Sequence, residues 1–249
     1  MSLNNASLGS TVARQFKYKL KAYNGVLSSL VLVQIIAILF SLGGNGSFHS
    51  SGGSGISINA TLFTNANVII FTFLWVIAHA VMMTTKAERE HGFTFVSNHI
   101  SNHLSNALFL LLASVIAAVT TILAGFLLRV LVYFFNEPAP ILGSNVHYEV
   151  SDIFTGVFSM TFYLILLASA GYVFGTLSQL HRTLPYLLPV LLIGIFIWLI
   201  QLDHSLVGRG VAFYFEETNA LLFVLKVTVT SVVCFLAAIL LTKRLEARQ

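Results

Sequence analysis

The sequence predicts an all-α membrane protein with six transmembrane helices and both termini in the cytoplasm. Charged residues make up only 9% of the chain, and no Asp, Glu, Lys or Arg occurs from Ala22 to Thr85 or from His91 to Leu128. A water-soluble surface does not tolerate such long stretches without charge. The apolar runs also lack the period-two alternation of membrane β-barrel strands, so helices are expected.

Six apolar runs are long enough to cross about 30 Å of hydrocarbon as helices. In chain order they are residues 26–42, 66–83, 107–135, 153–177, 184–202 and 220–241. In this interpretation residues 1–249 form a single transmembrane domain. The lone cysteine, Cys234, lies in the sixth run and offers no internal disulfide.

The basic residues predict the orientation. Ten of the 13 Lys and Arg residues fall in the N-terminal tail, the segment after the second run, the turn after the fourth run and the C-terminal tail. Six of the nine acidic residues fall on the opposite side. The positive-inside rule then places both termini and residues 84–103 in the cytoplasm, as an even number of spans also requires. The basic balance therefore reflects orientation and predicts no nucleic-acid partner.

Residues 10–24 have the pattern of an amphipathic helix. Val12, Phe16, Leu20 and Tyr23 recur at helical spacing with basic residues between them, which predicts an interfacial helix on the inner membrane surface. A basic tail that only fixes orientation is the alternative interpretation.

Two loops on the outer side differ in character. Gly43–Asn65 is rich in Gly and Ser and has no charge, so we expect a flexible linker. Asp203–Asn219 contains the apolar cluster Val211–Phe215, which favours either a re-entrant segment between the fifth and sixth helices or an interfacial aromatic belt.

Two basic residues lie within or beside apolar runs, where an unpaired charge is costly. Arg129 is near the outer end of the third run, and Lys226 is inside the sixth. We expect both to extend to the outer interface and pair with acidic residues there. A contact along a substrate path is the alternative.

The histidines do not form a recognisable catalytic or metal motif. His99 and His103 share a helical face, but Ile100 stands where the H-E-x-x-H zinc pattern needs Glu. We therefore predict no metal site and no catalytic residue. Asn98, Asn102 and Asn106 indicate a polar helical stripe, so His99 and His103 are expected on a solvated polar face. His79 is expected to be hydrogen-bonded inside the bundle.

The segment 84–103 is the largest polar interruption. It carries Lys86 to Glu90, a break at Gly92, and the apolar residues Phe93 and Phe95. Charges that fix register beside apolar anchors suit docking on another protein. An ordinary solvated loop is the alternative.

This organisation resembles the permease subunit of the type-2 ABC exporters. The resemblance rests on six spans, a basic N-terminal helix, the short turn 178–184 and a charged cluster after the second span. That cluster consists of Glu88, Arg89, Glu90, His91 and Gly92. In the family the equivalent segment is a coupling helix that docks on a separate ATPase, and short re-entrant helices precede the sixth span.

The resemblance implies a transporter rather than an enzyme. ATP and Mg²⁺ would bind the partner ATPase, and this chain would need no cofactor. A second permease copy or a related permease would complete the path, in the plasma membrane of a bacterium. The cargo would be an amphipathic peptide, an antimicrobial or another hydrophobic compound. No G-x-x-x-x-G-K-[ST] phosphate loop occurs in this chain.

Two other functions remain open on the sequence. The first is an intramembrane enzyme that uses His79, His99 or His103 with Glu88 or Glu90. The second is a membrane assembly or immunity protein without catalysis.

Overall fold

The computed structural model describes residues 8–44, 46–51, 57–85, 99–135, 149–179 and 212–246, together with residues 183–185, 187, 190, 194, 198 and 208. Its elements in chain order are α1 (Leu8–Ala22), α2 (Asn24–Leu42), β1 (Gly46–Ser51), β2 (Ser57–Leu62), α3 (Ala66–Met82), α4 (His99–Phe135), α5 (Val150–Ser178) and α6 (Ala220–Glu246).

The helices have the composition of membrane spans. Four are long and apolar enough to cross a bilayer: Gly25–Leu42, Ile100–Phe135, Val150–Ser178 and Ala220–Thr242. Ala66–Met82 is also apolar but shorter. The predicted helical membrane fold is therefore confirmed, and the chain has the character of a multi-pass membrane protein.

Five of the six predicted spans coincide with described helices. The largest difference is in the third, because α4 begins at His99, eight residues before the predicted start. In the predicted span 184–202, the described residues are all helical: Leu184, Pro185, Leu187, Val190, Gly194 and Trp198. The rest of that span lies outside the described residues.

α1 and α2 lie end to end along α4, almost as one continuous helix. Only Tyr23 separates the two helices. Three of their contacts with α4, Lys19–Ser105, Tyr23–Phe109 and Gln34–Thr120, keep the same offset of 86 residues. A constant offset means that α1 runs parallel to the first turns of α4. The predicted position of residues 10–24 at the membrane surface stays a prediction.

Contacts between helices fix their relative directions. Gly156 lies against Ile122 and Tyr172 against Asn106, so α4 and α5 are antiparallel. Phe162 contacts Phe223 and Tyr172 contacts Phe235, so α5 and α6 are parallel. The chain between them therefore returns to the end of the bundle at which α5 begins. We call the opposite end, where α3 and α5 end and α4 begins, the foot of the bundle.

The core combines several alanines with large apolar side chains. Ala80, Ala113, Ala117, Ala118 and Ala168 are buried in one cluster with Leu164 and Tyr172. Small residues let helix backbones approach closely, which is how helices gain contact energy in a membrane. α4 lies at the centre and contacts each of the other five described helices.

α3 and α5 approach each other closely at the Gly-x-x-x-Gly pair Gly171 and Gly175. A Cβ added at Gly171 would lie 3.1 Å from the carbonyl oxygen of Ile77, and one at Gly175 would lie 2.9 Å from Cα of Val81. The second distance is shorter than a Cβ and a backbone atom can approach. With any larger residue at position 175, α3 and α5 could therefore not keep their present packing. The sequence spacing of these glycines is a signal for such a contact.

We expect Gly175→Ala to lower the free energy of unfolding by about 1–2 kcal/mol, because overpacking outweighs the helix propensity that alanine adds. Gly156→Ala is the matched control on the same helix, since its added Cβ meets Ile122 at an ordinary 3.5 Å. Thermal unfolding in detergent measures both variants. Equal unfolding temperatures for the two would contradict the close α3–α5 contact.

The loop between α2 and α3 was wrongly predicted as a flexible linker. β1 and β2 pair antiparallel, with Gly46 opposite Leu62 and Ser51 opposite Ser57. Gly44, two residues before the first strand, has a φ of 85°, a conformation that favours glycine. Residues 57–62 alternate polar and apolar residues, and this period-two pattern is the strand signal that the Gly and Ser content obscured.

Candidate functional site

The foot of the bundle contains a buried lysine. Lys19 retains only 6% of its exposure, and Val12 and Gln15 of the same helix face are buried with it. The face of α1 that packs on α4 therefore carries a charge. Three residues of the predicted apolar face lie toward the bundle, since Val12 is buried and Phe16 and Tyr23 pack against the core. The fourth, Leu20, is exposed, and Lys19 points into the bundle instead.

Lys19 is held by neutral oxygens of α4. Its ammonium donates to Oδ1 of Asn102 at 2.8 Å, to Oγ of Ser105 at 2.7 Å and to Oδ1 of Asn106. The three acceptors lie within the first two turns of α4, at the spacing that places them on one face. Hydrogen bonds from a charged donor are about twice as strong as neutral ones.

The same network reaches α5 through Tyr172. The Tyr172 hydroxyl accepts from Nδ2 of Asn106 at 3.0 Å and lies 2.8 Å from Nδ1 of His103. Tyr172 is 1% exposed. We call Lys19, Asn102, His103, Ser105, Asn106 and Tyr172 the lysine cluster. It joins α1, α4 and α5 at the foot.

The prediction of a solvated polar stripe on α4 was wrong. His103 and Asn106 are buried between α1 and α5 rather than exposed to water, as is Ser105 beside them. These polar side chains would be costly in the core without partners, and Lys19 and Tyr172 supply them.

The segment 84–103 is joined to the bundle at both ends. At its start, the carbonyl oxygen of Thr84 accepts a hydrogen bond from Nε2 of Gln179, which follows α5. At its end, Asn102 and His103 belong to the lysine cluster. The predicted coupling residues Glu88, Arg89, Glu90, His91 and Gly92 lie outside the described residues.

A second polar network lies deeper in the bundle. Nε2 of Gln34 lies 3.0 Å from Oγ1 of Thr120 and 3.2 Å from Oγ1 of Thr121, which contacts Oγ1 of Thr72 at 3.2 Å. Interhelical hydrogen bonds of this kind stabilise membrane bundles modestly. This network joins α2, α3 and α4 and brings together no pair of charged groups.

His79 is hydrogen-bonded inside the bundle, as predicted. Its Nδ1 lies 3.0 Å from the carbonyl oxygen of Trp75, and its Nε2 lies 3.3 Å from Oγ of Ser29. The Trp75 indole also donates to Ser29 at 2.9 Å. These contacts give His79 a structural role between α2 and α3.

Lys226 is paired with Glu217, as the sequence predicted for a basic residue inside this span. Its ammonium also lies 3.3 Å from the carbonyl oxygen of Phe213 and 4.0 Å from the centre of the Phe213 ring. One cation therefore contacts both ends of residues 213–217. Arg129 lies at an exposed position in the last two turns of α4, and its predicted pairing with an acidic residue stays a prediction.

The Lys226 contact changes the acidity of Glu217. The hydrogen bond from the Lys226 ammonium, aided by one from the backbone N–H of Asn219, holds the pKa of Glu217 below its usual range. Glu217 is therefore a carboxylate at neutral pH, and the ion pair persists under ordinary conditions.

The aromatic residues before Glu217 pack against α5 and α6. The rings of Phe215 and Tyr163 are stacked 4.7 Å apart, and the Tyr163 hydroxyl donates to the carbonyl oxygen of Tyr214 at 3.0 Å. The Tyr214 hydroxyl lies 3.0 Å from Oγ1 of Thr230. We call residues 212–217 the aromatic turn.

No group of three or more His, Cys, Asp or Glu side chains that could hold a metal occurs within the described ranges. No known protein family, curated protein or solved structure matches the chain.

Sequence reasoning missed the lysine cluster. Lys19 stands among four basic residues of the N-terminal tail, and nothing in its immediate sequence distinguishes it from Lys17 or Lys21. The available signal was on the other partner: Asn102 and Asn106, four residues apart at the start of a long apolar helix, are two amide acceptors on one face.

Proposed function

We propose that this chain is the permease subunit of an ATP-driven exporter of the type-2 ABC class. The observation that carries the proposal is the attachment of segment 84–103 to the bundle at both ends. Glu88–Gly92 would form the contact with a separate ATPase, which binds ATP and Mg²⁺.

These two attachments would transmit a movement of segment 84–103 to the helices of the bundle. A push on segment 84–103 would reach α3 and α5 through Thr84 and Gln179, and α1, α4 and α5 through the lysine cluster. Packed helices respond to such a push by tilting as bodies rather than by bending locally. A loop used only as a connection would need neither buried attachment.

Six spans with both termini in the cytoplasm are part of the proposal. The parallel packing of α5 and α6 supports them, since the chain between these helices has to cross the bundle once. With the apolar α3 counted as a span, the total is even. The foot of the bundle would then face the cytoplasm, where the basic residues predict it.

A re-entrant segment before the sixth span also belongs to the proposal. The aromatic turn contacts Tyr163, which lies about 20 Å along α5 from its first residue, and Thr230, about 15 Å along α6. A segment confined to the outer membrane surface would contact the first turns of both helices instead. Residues 212–215 of the turn are helical. Packing against two helices would help to shield the backbone of the turn in a bilayer.

The remaining features follow from the same function. A second copy of this chain, or a related permease, would form the other half of the path in a bacterial plasma membrane. The cargo would be an amphipathic peptide, an antimicrobial or another hydrophobic compound. The abundant apolar side chains suit such a cargo, and they suit a bilayer equally.

Glu88→Lys tests the docking role. We expect this charge reversal to weaken co-purification of the ATPase encoded nearest to the chain and to lower the ATP hydrolysis that depends on the permease. Docking contacts between opposite charges fix register, and a like charge opposes them. Co-purification in mild detergent and ATPase assays of the reconstituted complex measure the effect.

Glu149→Lys is the matched control, because Glu149 is an exposed acidic residue at the start of α5, at the opposite end of the bundle. We expect it to leave ATPase attachment unchanged. Equal attachment in the Glu88 and Glu149 variants would remove Glu88 from the docking role. A chain that never co-purifies with an ATPase would contradict the transporter proposal as a whole.

A further inference from the structure

The two faces of α1 carry basic residues with different surroundings. Lys19 is buried against α4, whereas Arg14, Lys17 and Lys21 are exposed. Their spacing of three and four residues places these three on one helical face, opposite the face that Lys19 shares with Val12 and Gln15. We call Arg14, Lys17 and Lys21 the basic stripe.

The basic stripe is concentrated positive charge. α1 contains no Asp or Glu, and none of the three stripe residues forms an ion pair with another described residue. A helix whose inner face is already packed on α4 has no need of this stripe for folding. Its charge is available to a partner outside the bundle.

The distance of the basic stripe from the membrane span indicates which partner it can reach. α1 continues the line of α2 along α4, and the apolar span of α2 begins at Gly25. Lys21 then lies about 6 Å and Lys17 about 12 Å beyond the start of the span, along the helix axis. The headgroup layer extends about 5–8 Å beyond the hydrocarbon. Flexible lysine side chains span the remaining distance to lipid phosphates.

We propose that the basic stripe binds the headgroups of anionic phospholipids. The contact works by charge, because the buried face of α1 is occupied by α4 and cannot insert among acyl chains. The proposal requires only that α2 crosses the membrane, and it does not depend on an ATPase partner. Membrane surfaces that carry anionic lipid attract each nearby Lys or Arg independently.

A fluorophore on α1 reports which lipid lies beside the stripe. Leu20→Cys in a Cys234→Ser background places the label at an exposed position next to Lys21. The full chain is reconstituted in phosphatidylcholine nanodiscs that contain a small fraction of nitroxide-labelled phosphatidylglycerol or nitroxide-labelled phosphatidylcholine, with the nitroxide high on one acyl chain. Quenching measures local enrichment of each lipid.

We expect phosphatidylglycerol to be enriched about fivefold over phosphatidylcholine at low salt, the effect of one effective basic contact. The preference should vanish near 1 M salt, where the screening length falls to about 3 Å. The triple variant Arg14→Gln, Lys17→Gln and Lys21→Gln should remove it, with an unchanged unfolding temperature. A label at Leu221→Cys, exposed at the start of α6, should show no preference.

Equal quenching by the two lipids at position 20 in low salt would overturn the proposal. So would a preference that survives the triple substitution or high salt, since another feature would then attract the lipid. The salt titration uses the unsubstituted stripe and therefore decides the question even if the triple variant does not fold. Loss of ATPase attachment would leave these results unaffected.

Discussion

Replacing Lys19 with Met is expected to lower the unfolding temperature by about 5 °C, which corresponds to about 2 kcal/mol for a chain of this size. Met preserves most of the side-chain volume but removes the donor that Asn102, Ser105 and Asn106 share. Those acceptors would remain buried with fewer partners.

Lys17→Met is the matched control, because Lys17 is exposed on the opposite face of the same helix. It removes the same charge from the same tail and should leave the unfolding temperature unchanged. Thermal unfolding of both variants in one detergent makes the comparison. If the two variants unfold at the same temperature, Lys19 contributes only charge to the tail, and the lysine cluster is not a structural site.

The contrast between Lys19 and Lys17 shows what the sequence could predict. Apolar runs identify the spans because their length and composition are local properties, and five spans coincide with described helices. The burial of Lys19 depends on acceptors 83 to 87 residues away. The apolar spacing found only part of the face of α1 that meets α4. Val12 is buried and Phe16 packs on the core, as that spacing predicts, whereas Leu20 is exposed. No local pattern indicates that the charged Lys19 belongs to the buried face.

The contact between α3 and α5 could be predicted in part from the sequence. Gly171 and Gly175 have the spacing that lets membrane helices approach, although that spacing does not name the partner helix. The hairpin was also readable from the alternation in residues 57–62. In both cases the signal is a specific local spacing rather than the general composition of the segment.

Breaking the Lys226–Glu217 pair is expected to release the aromatic turn from α6. In Glu217→Gln, Lys226 loses its charged partner. The contact of α6 with the end of the turn at residue 217 is then weakened, while the contact of Lys226 with Phe213 remains. Local opening of the turn should then be more frequent, so its backbone amides should exchange with deuterium several-fold faster. Hydrogen–deuterium exchange of the peptide covering residues 212–219, in nanodiscs, measures this.

The neighbouring Glu216 provides the control, because it is exposed and Glu217 is the residue that contacts Lys226. Glu216→Gln should leave exchange of this peptide unchanged. The charge-swapped variant Glu217→Lys with Lys226→Glu should recover part of the protection that either single reversal loses. Equal exchange in the Glu216 and Glu217 variants would mean that the aromatic rings alone hold the turn in place.

The pair also predicts the direction of a pH effect. Because the pKa of Glu217 is lowered in the folded chain, its stabilising contribution is complete above the carboxyl's unfolded pKa, about 4.3. It is lost as the pH falls through the lower, folded pKa. Protection of the aromatic turn, corrected for intrinsic exchange, should therefore be higher in the parent protein than in Glu217→Gln at pH 7, and the two should converge in acid. A difference that persists in acid would show that the Gln substitution perturbs packing rather than charge.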